Sequence, residues 1–210
     1  MHLTTRRQTA KSILALGALA AAGLLAGCDR TPSVVHIGVA QPLSGNLAAL
    51  GQDMHNGVKL AVDELNRQGF KIKGKPVTLE IVAVDDRAHA PTRKEGAQKL
   101  IDAGVVAVIG HLNSGVSIDT APMYAAKGIA QLAISTNPKF TELNLPTTFR
   151  LVANDNLQAK AMGSFAAGQL RASKFAVVDD GTPYGKGLTD LAAAQLTGKK
   201  VDSLRQSFDD

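Results

Sequence analysis

The stretch from residue 105 to residue 121, VVAVIGHLNSGVSIDTA, constrains the fold of this chain most strongly. Its apolar run, residues 105–109, is bounded by turn residues, which is typical of a strand in a parallel sheet covered on both faces. A polar turn, residues 110–114, follows, and a helix is predicted to begin directly after it. The first helical turn leaves backbone N–H groups without intrahelical acceptors, and ligands of open α/β sheets bind beyond the carboxyl ends of strands, so this turn suits an anion. A simpler interpretation, in which Asn113 or Ser114 only caps the helix, stays open.

The rest of the chain repeats this alternation of strand and helix with short connections. Predicted strands cover residues 34–40, 77–84, 105–109 and 129–134, and predicted helices lie between them at 52–68, 91–103 and 115–127. Because right-handed crossovers place helices on both faces of such a sheet, the pattern predicts an α/β fold with a doubly wound parallel sheet. After an extended segment at residues 148–152 a new strand–helix–strand unit begins. The pattern therefore divides the chain into a first α/β lobe, residues 34–150, and an incomplete second lobe, residues 151–210.

Further polar segments follow other predicted strands. Residues 135–138, STNP, come after the fourth strand, and we expect them beside the 110–114 turn because parallel strands end at the same edge of a sheet. Tyr184 lies in a Gly- and Pro-flanked turn after the strand 174–179. We expect it to lie over a cleft, although a surface tyrosine on a turn is the simpler interpretation. His111, the one histidine of its turn, could be a base, but a hydrogen-bonded structural residue is favoured. The Asp85-Asp86 pair could be an acid pair or metal ligands, but a solvated, helix-capping strand end is favoured.

The first 27 residues are predicted to be an export signal. Arg6 and Arg7 begin a positive segment, and the apolar run 13–26 is shorter than the roughly 20 residues of a membrane span. The run ends in LAGC, which resembles a bacterial lipobox, so Cys28 is predicted to carry a lipid and to be the first mature residue. An ordinary signal peptide followed by a chance cysteine is the alternative, and the arginine pair also resembles a twin-arginine signal. Residues 28–33 are predicted to be a linker.

Composition excludes several classes of function. Without the three cations of the leader the formal net charge falls from +5 to +2, Lys and Arg are scattered, and aromatic residues make up 4% of the chain, so no nucleic-acid surface is expected. No dinucleotide fingerprint follows the first strand, no P-loop or nucleophile elbow occurs, and the five histidines are dispersed. We therefore expect no catalysis, no cofactor and no metal. The single cysteine allows no intrachain disulfide.

Several blocks of the chain resemble one protein family. These are IGVAQPLSGNLAALGQD, VDDRAHAPTRKEGAQKLI, GVVAVIGHLNSG, AISTNPKFTEL, TTFRLVANDNLQ and VVDDGTPYGKGL. In this order, across residues 34–210, they are similar to the branched-chain amino acid (Leu/Ile/Val) substrate-binding proteins of ABC transporters, which are periplasmic binding proteins of type I. The resemblance implies two α/β lobes joined by three crossovers, with the ligand in the cleft between the lobes. The extended segment 148–152 matches the first crossover.

The resemblance also implies a set of binding residues. The serine of the G-H-x-x-S turn and the threonine of the STNP loop bind the ligand's α-carboxylate, and the tyrosine of the Y-G-x-G-L turn closes from the second lobe. In this sequence these residues are Ser114, Thr136 and Tyr184, and the further positions facing the pocket are Asn113, Ser135, Ile134 and Leu50. Some relatives carry an aromatic residue at the position of Leu50. The acidic residue that neutralises the ligand's ammonium and the return crossovers come later in the family. We therefore expect this chain to be truncated and to bind ligand weakly or not at all.

The function implied by the resemblance is transport without chemistry. The protein is expected to be an extracytoplasmic, membrane-anchored lipoprotein of the periplasm. It would act as a monomer that captures a branched-chain or related amino acid and delivers it to a permease in the inner membrane. The alternative is a sensory or regulatory binding lobe for an amide, urea or another small ligand. An exported α/β enzyme is a third possibility, but no set of nucleophile, base and orienting residue can be assembled from the sequence.

Overall fold

The structure of this chain, a computed structural model, describes residues 32–88, 90–170, 174–196 and 202–207. The predicted leader, the lipid-bearing Cys28 and most of the predicted linker lie outside these residues. The described strands are β1 (Val34–Gln41), β2 (Lys71–Ile72), β3 (Lys75–Pro76), β4 (Thr78–Asp85), β5 (Ala107–Gly110), β6 (Ala130–Ala133), β7 (Thr148–Arg150), β8 (Lys174–Asp179) and β9 (Asp202–Ser207). The described helices are α1 (Ala48–Arg67), α2 (Ala90–Asp102), α3 (Ser114–Ala125), α4 (Lys139–Glu142), α5 (Asp155–Gly168) and α6 (Pro183–Leu196).

Five parallel strands form the main sheet in the order β4-β1-β5-β6-β7. The apolar strand β1 lies between β4, with which it pairs along its whole length, and β5. The register places Gln41 opposite Asp85 and Ala40 opposite Gly110, so the carboxyl ends of these three strands meet at one edge. The predicted doubly wound parallel sheet is confirmed, and the polar turn after β5 lies at this edge.

Two apolar clusters pack against opposite faces of the sheet, because successive residues of a strand point to opposite sides. One cluster joins Leu100 of α2 to Val108 of β5 and Tyr124 of α3. The other joins Val62 of α1 to Val35 of β1, together with Val77 and Leu79. This burial fixes the helices on the sheet and thereby fixes the loops at its carboxyl edge.

The chain leaves the first sheet after β7, which pairs with β6 as the last strand in the order. It then forms α5, α6 and a separate parallel pair, β8 with β9. Helices α5 and α6 pack on each other through Ala159, Leu188 and Ala192. The second lobe thus contains two strands and two helices in the part of the chain that the structure describes.

Candidate functional site

A cavity of about 320 Å³ lies where the carboxyl edge of the first sheet faces the turn after β8. This volume is at the lower end of the range for small-molecule sites. The cavity is lined by Leu47, Leu50, Leu112, Asn113, Ser114, Ile134, Thr136, Asp180, Thr182 and Tyr184. Six of the seven residues that the sequence placed at the site therefore come together here. The wall combines four aliphatic side chains with hydroxyl, amide and carboxylate groups.

The beginning of helix α3 supplies the donors of the cavity. Asn113 occupies the N-cap position with extended backbone, yet its side chain makes no capping hydrogen bond, so the capping interpretation is wrong for this residue. Within the described residues, the backbone N–H groups of residues 114–116 have no acceptor, since the first backbone bond of the helix is donated by Ser117 to the Asn113 carbonyl. Free N–H groups and the partial positive charge of the helix start favour an anion.

The Ser114 hydroxyl is oriented by the neighbouring loop. Ser114 is buried, and its Oγ accepts a hydrogen bond from the backbone N–H of Asn137 at 3.4 Å. A hydroxyl has one proton and two lone pairs, so this bond occupies a lone pair and leaves the proton of Ser114 available for a ligand acceptor. Ser114 can therefore donate to a carboxylate.

Arg150 of β7 holds the loop that carries Thr136. Its guanidinium donates to the carbonyls of Ser135 at 2.7 Å and Asn137 at 2.8 Å, on either side of Thr136. It also bonds the Thr141 hydroxyl and lies 5.9 Å from the centre of the Phe140 ring. These contacts tie the loop to the strand at which the chain leaves the first sheet. Burial lowers the pKa of Arg150, while the carboxylates of Asp155 and Glu142 oppose this shift.

A buried polar network lies beneath the 110–114 turn. His111, Asp86 and Tyr124 have no exposed surface, and the His111 ring contacts Asp86 Oδ2 at 2.6 Å through Nδ1 and the Tyr124 hydroxyl at 3.2 Å through Nε2. Burial, reinforced by the Asp86 charge, raises the pKa of Tyr124. The favoured structural role of His111 agrees with these contacts. The favoured interpretation of Asp86 as part of a solvated strand end is wrong, because its carboxylate is enclosed and bonded to a residue that lies 25 positions later.

Ser135 does not face the cavity. Its side chain is buried behind the turn, where its hydroxyl bonds the Ser117 hydroxyl and donates to the His111 carbonyl at 3.5 Å. The expectation that Ser135 faces the pocket is therefore corrected. Since successive residues of an extended segment point in opposite directions, only one of Ser135 and Thr136 can face the ligand.

The opposite wall of the cavity comes from the turn before helix α6. Tyr184 lies in the first turn of this helix and is 38% exposed. The Asp180 Oδ1 accepts hydrogen bonds from the Thr182 backbone N–H at 3.0 Å and from its hydroxyl at 2.6 Å. The Asn137 side-chain amide donates to the Pro183 carbonyl at 2.8 Å, which links this turn to the Thr136 loop.

Four lining residues were missed by the sequence reasoning. Asp180 and Thr182 occupy the turn of Tyr184, and Leu47 and Leu112 adjoin residues already placed at the site. The signal for Asp180 is its position after β8, which matches that of polar residues after the strands of the first sheet. In the described ranges no cluster of three His, Cys, Asp or Glu side chains could hold a metal ion. The same ranges contain no helix with the length and apolar character that a bilayer span needs.

Comparison with known proteins places the chain in a family. Residues 34–208 match the family model described as "Periplasmic binding protein". The chain is 40% identical over 163 residues to a Leu/Ile/Val-binding protein homolog of Brucella abortus, an alignment that covers 77% of this chain and 43% of that relative. It therefore spans less than half the length of that relative.

Solved structures agree with this assignment. A leucine-binding protein, LivK, of Thermotoga maritima matches with a TM-score of 0.74 and 26% identity over 83% of this chain and 49% of that one. The branched-chain amino acid binding protein LivJ of Streptococcus pneumoniae, solved with isoleucine, matches with a TM-score of 0.72 and 26% identity over 84% of this chain and 50% of that one. This chain belongs to the periplasmic binding protein family.

Proposed function

We propose that this protein captures a branched-chain or related aliphatic amino acid in the cavity and delivers it to the permease of an ABC importer. The observation that carries the proposal is the pairing of open donors at the start of α3 with an aliphatic wall in one small cavity. The named ligands of the similar proteins, leucine and isoleucine, support the same class. The family is extracytoplasmic, and we propose that the lipid predicted at Cys28 anchors the protein to the membrane.

The donors account for recognition of the carboxylate. Ser114 offers its hydroxyl proton, and the backbone N–H groups of residues 114–116 point out of the helix start. The backbone N–H of Thr136 likewise has no acceptor in the part of the chain that the structure describes. Hydrogen bonds between such donors and an anionic oxygen are short and about twice as strong as bonds between neutral groups.

The aliphatic wall accounts for the side chain. The aliphatic part of the cavity wall comes from Leu47, Leu50, Leu112 and Ile134. Leu50 is 57% exposed in this structure, so a ligand that contacts it would remove apolar surface from water. Tyr184 and the turn at residues 180–182 then form the opposite wall. Closure of the two walls around a ligand is the motion expected of a two-lobed binding protein.

Substitution of Ser114 tests the proposal. Ser114→Ala in the full-length protein should weaken binding of leucine, isoleucine and valine by roughly 1.5–3 kcal/mol, the range for hydrogen bonds to charged groups. Isothermal titration calorimetry gives the affinities, and Ser164→Ala is the matched control because Ser164 is exposed on α5 away from the cavity. Unchanged affinity in both Ser114→Ala and Thr136→Val would reject the carboxylate site. A full-length wild-type protein that binds none of the three amino acids would reject the ligand class.

A further inference from the structure

Asn137 joins the two walls of the cavity, although it does not line the cavity itself. Its side-chain Nδ2 donates to the carbonyl of Pro183 in the second lobe at 2.8 Å. Its Oδ1 accepts a hydrogen bond from the backbone N–H of Lys139 at 3.0 Å. Since only the oxygen of an amide accepts and only its nitrogen donates, the Lys139 bond directs the Nδ2 of Asn137 toward the second lobe.

The backbone of Asn137 contacts the donor side of the site. Its N–H donates to the Ser114 Oγ at 3.4 Å, and its carbonyl accepts a hydrogen bond from Arg150 at 2.8 Å. One residue therefore orients the Ser114 hydroxyl through its backbone and binds the opposite wall through its side chain. The geometry of the donors and the approach of the two walls thus depend on the same loop.

Two glycines, one in each lobe, allow the walls to approach each other. A Cβ atom at Gly187 of α6 would lie 2.5 Å from the Asn137 Nδ2. A Cβ atom at Gly115 of α3 would lie 2.8 Å from the Pro183 Cγ. Glycine destabilises a helix relative to alanine, so a glycine within a helix needs a separate explanation. The close approach of the two helix starts provides it, because a side chain at either position would push the walls apart.

We propose that Asn137 is a positioning residue, whose amide packs on Gly187 and binds the Pro183 carbonyl to stabilise the arrangement in which the two walls are in contact. This inference rests on the proposed function and specifies what sets the affinity of the site. A hydrogen bond that exists only when the walls are together shifts the population toward that arrangement. The apparent affinity of a ligand that contacts both walls is proportional to the population of this arrangement. Asn137 does not touch the ligand, so all ligands of the cavity should gain from the bond equally.

Two substitutions of Asn137 test the contact in the full-length protein. Asn137→Asp keeps the acceptor for Lys139 but removes the donor to Pro183, and Asn137→Ala removes both groups without adding a charge. Each variant should weaken binding of leucine, isoleucine and valine by the same factor. The expected factor is about three- to tenfold, the size that corresponds to one hydrogen bond. Isothermal titration calorimetry measures the three affinities.

Gly187→Ala tests the same contact from the second lobe. Its methyl group would displace the Asn137 amide, so this variant alone should lose affinity by a similar factor. In the Asn137→Ala background it should cause no additional loss, because the atoms that the methyl group would meet, Nδ2 and Cγ of Asn137, are then absent. Gly57→Ala is the matched control, since a Cβ at this position of α1 meets nothing within 4 Å, and it should bind as wild type does.

The separation of the two lobes gives a readout that does not depend on the ligand. Double electron–electron resonance measures it between spin labels on Lys59→Cys of α1 and Lys160→Cys of α5, both at exposed positions, in a Cys28→Ser background. Without added ligand, Asn137→Asp and Gly187→Ala should change the distance distribution in the same way, because both populate a more open arrangement. The control variant should give the wild-type distribution.

Unchanged affinity in Asn137→Ala, or unequal losses among the three amino acids, would overturn the proposal. Additive losses in the double variant with Gly187→Ala would also overturn it, because the two residues would then act separately. A loss of affinity with an unchanged distance distribution would confine the effect to the orientation of Ser114 and would contradict the proposal as well. Failure of the full-length wild-type protein to bind any of the three amino acids would instead reject the proposed function, while the distance measurement would still test the contact.

Discussion

Strands β1 and β8 have similar apolar sequences and very different surroundings. β1 pairs with strands on both sides, and its residues Val39 and Ala40 have no exposed surface. β8 pairs with β9 alone among the described strands, and its Val178 is 55% exposed. Both sequences specify an extended segment of a parallel sheet. The burial of their side chains, however, depends on how many neighbouring strands and helices pack against each strand, and the sequence of one strand does not specify this number.

The helices show the same contrast. Leu100 of α2 is fully enclosed by the sheet and α3, whereas Leu157 and Phe165 of α5 are about 60% exposed. The first lobe therefore derives its stability from a closed core, while the second region presents apolar side chains to solvent in the described part of the chain. The candidate cavity takes its hydrogen-bond donors from the first lobe and one wall from the second. The donors are therefore held by a closed core, whereas the wall of Tyr184 is held by a region with fewer buried contacts.

The largest expected effect is a difference in stability between matched leucine substitutions in the two regions. Leu100→Ala should destabilise the protein by about 2–5 kcal/mol, since it removes buried methyl groups and leaves a cavity in a close-packed cluster. Leu157→Ala, the same change at a 63% exposed position, should alter stability by no more than about 0.5 kcal/mol. Urea denaturation followed by circular dichroism measures both. A Leu157→Ala variant that loses as much stability as Leu100→Ala would show that the apolar face of α5 is covered in solution.

A smaller effect tests the packing that the second region does have. A Cβ atom at Gly163 of α5 would lie 2.2 Å from the Cβ of Gln195 on α6. Gly163→Ala should therefore cost about 1–3 kcal/mol through overpacking, despite the better helix propensity of alanine. Gly57→Ala is the matched control, because a Cβ at this position of α1 meets nothing within 4 Å and should stabilise the protein by about 0.5–1 kcal/mol. If thermal melting shows that both variants are stabilised, α5 and α6 do not pack closely.

The strand–helix alternation was enough to predict the first sheet, because it follows from local patterns of apolar and turn residues. The predicted ends of the elements differ from the observed ones by a few residues. The strand predicted at residues 129–134, for example, is β6, Ala130–Ala133. The loop predicted after it contains the short helix α4. The extended segment at 148–152 proved to include a fifth strand of the sheet, which depends on pairing with β6. Local sequence does not contain that information.

The residues of the candidate site also fall into those that the sequence can place and those that only contacts between distant segments can place. Ser114, Thr136 and Tyr184 follow strands directly, so topology and the family resemblance place them together. The burial of Asp86 and the inward direction of Ser135 depend on contacts with His111 and Ser117, which lie far along the chain. The burial of Asp155 is of this second kind, since the start of α5 must meet the loop after β6 to enclose it.

The smallest expected effect contrasts two carboxylates, Asp85 at the end of β4 and Asp155 at the start of α5. Burial alone would raise the pKa of Asp85. Its carboxylate, however, accepts hydrogen bonds from the Ser44 hydroxyl and from the backbone N–H groups of Leu43 and Arg87, and it lies near the Arg87 charge. Together these interactions outweigh burial and lower the pKa below 3.8. A lowered folded-state pKa means that the ionised form stabilises the fold. This contribution is complete above pH 3.8 and is lost as the pH falls through the folded-state value.

Asp85→Asn should therefore destabilise the protein at neutral pH by about 1 kcal/mol, the usual size of a hydrogen-bond contribution. The difference from wild type should shrink as the pH falls through the folded-state pKa of Asp85, because Asp85 itself then becomes protonated. Asp155 has a raised pKa, so its ionised form opposes folding, and Asp155→Asn should gain stability relative to wild type as the pH rises above 3.8. Melting temperatures measured from acid to neutral pH should thus diverge from wild type in opposite directions for the two variants. Parallel curves would mean that the end of β4 and the start of α5 provide equivalent environments for a carboxylate, against the difference in hydrogen bonding that separates them.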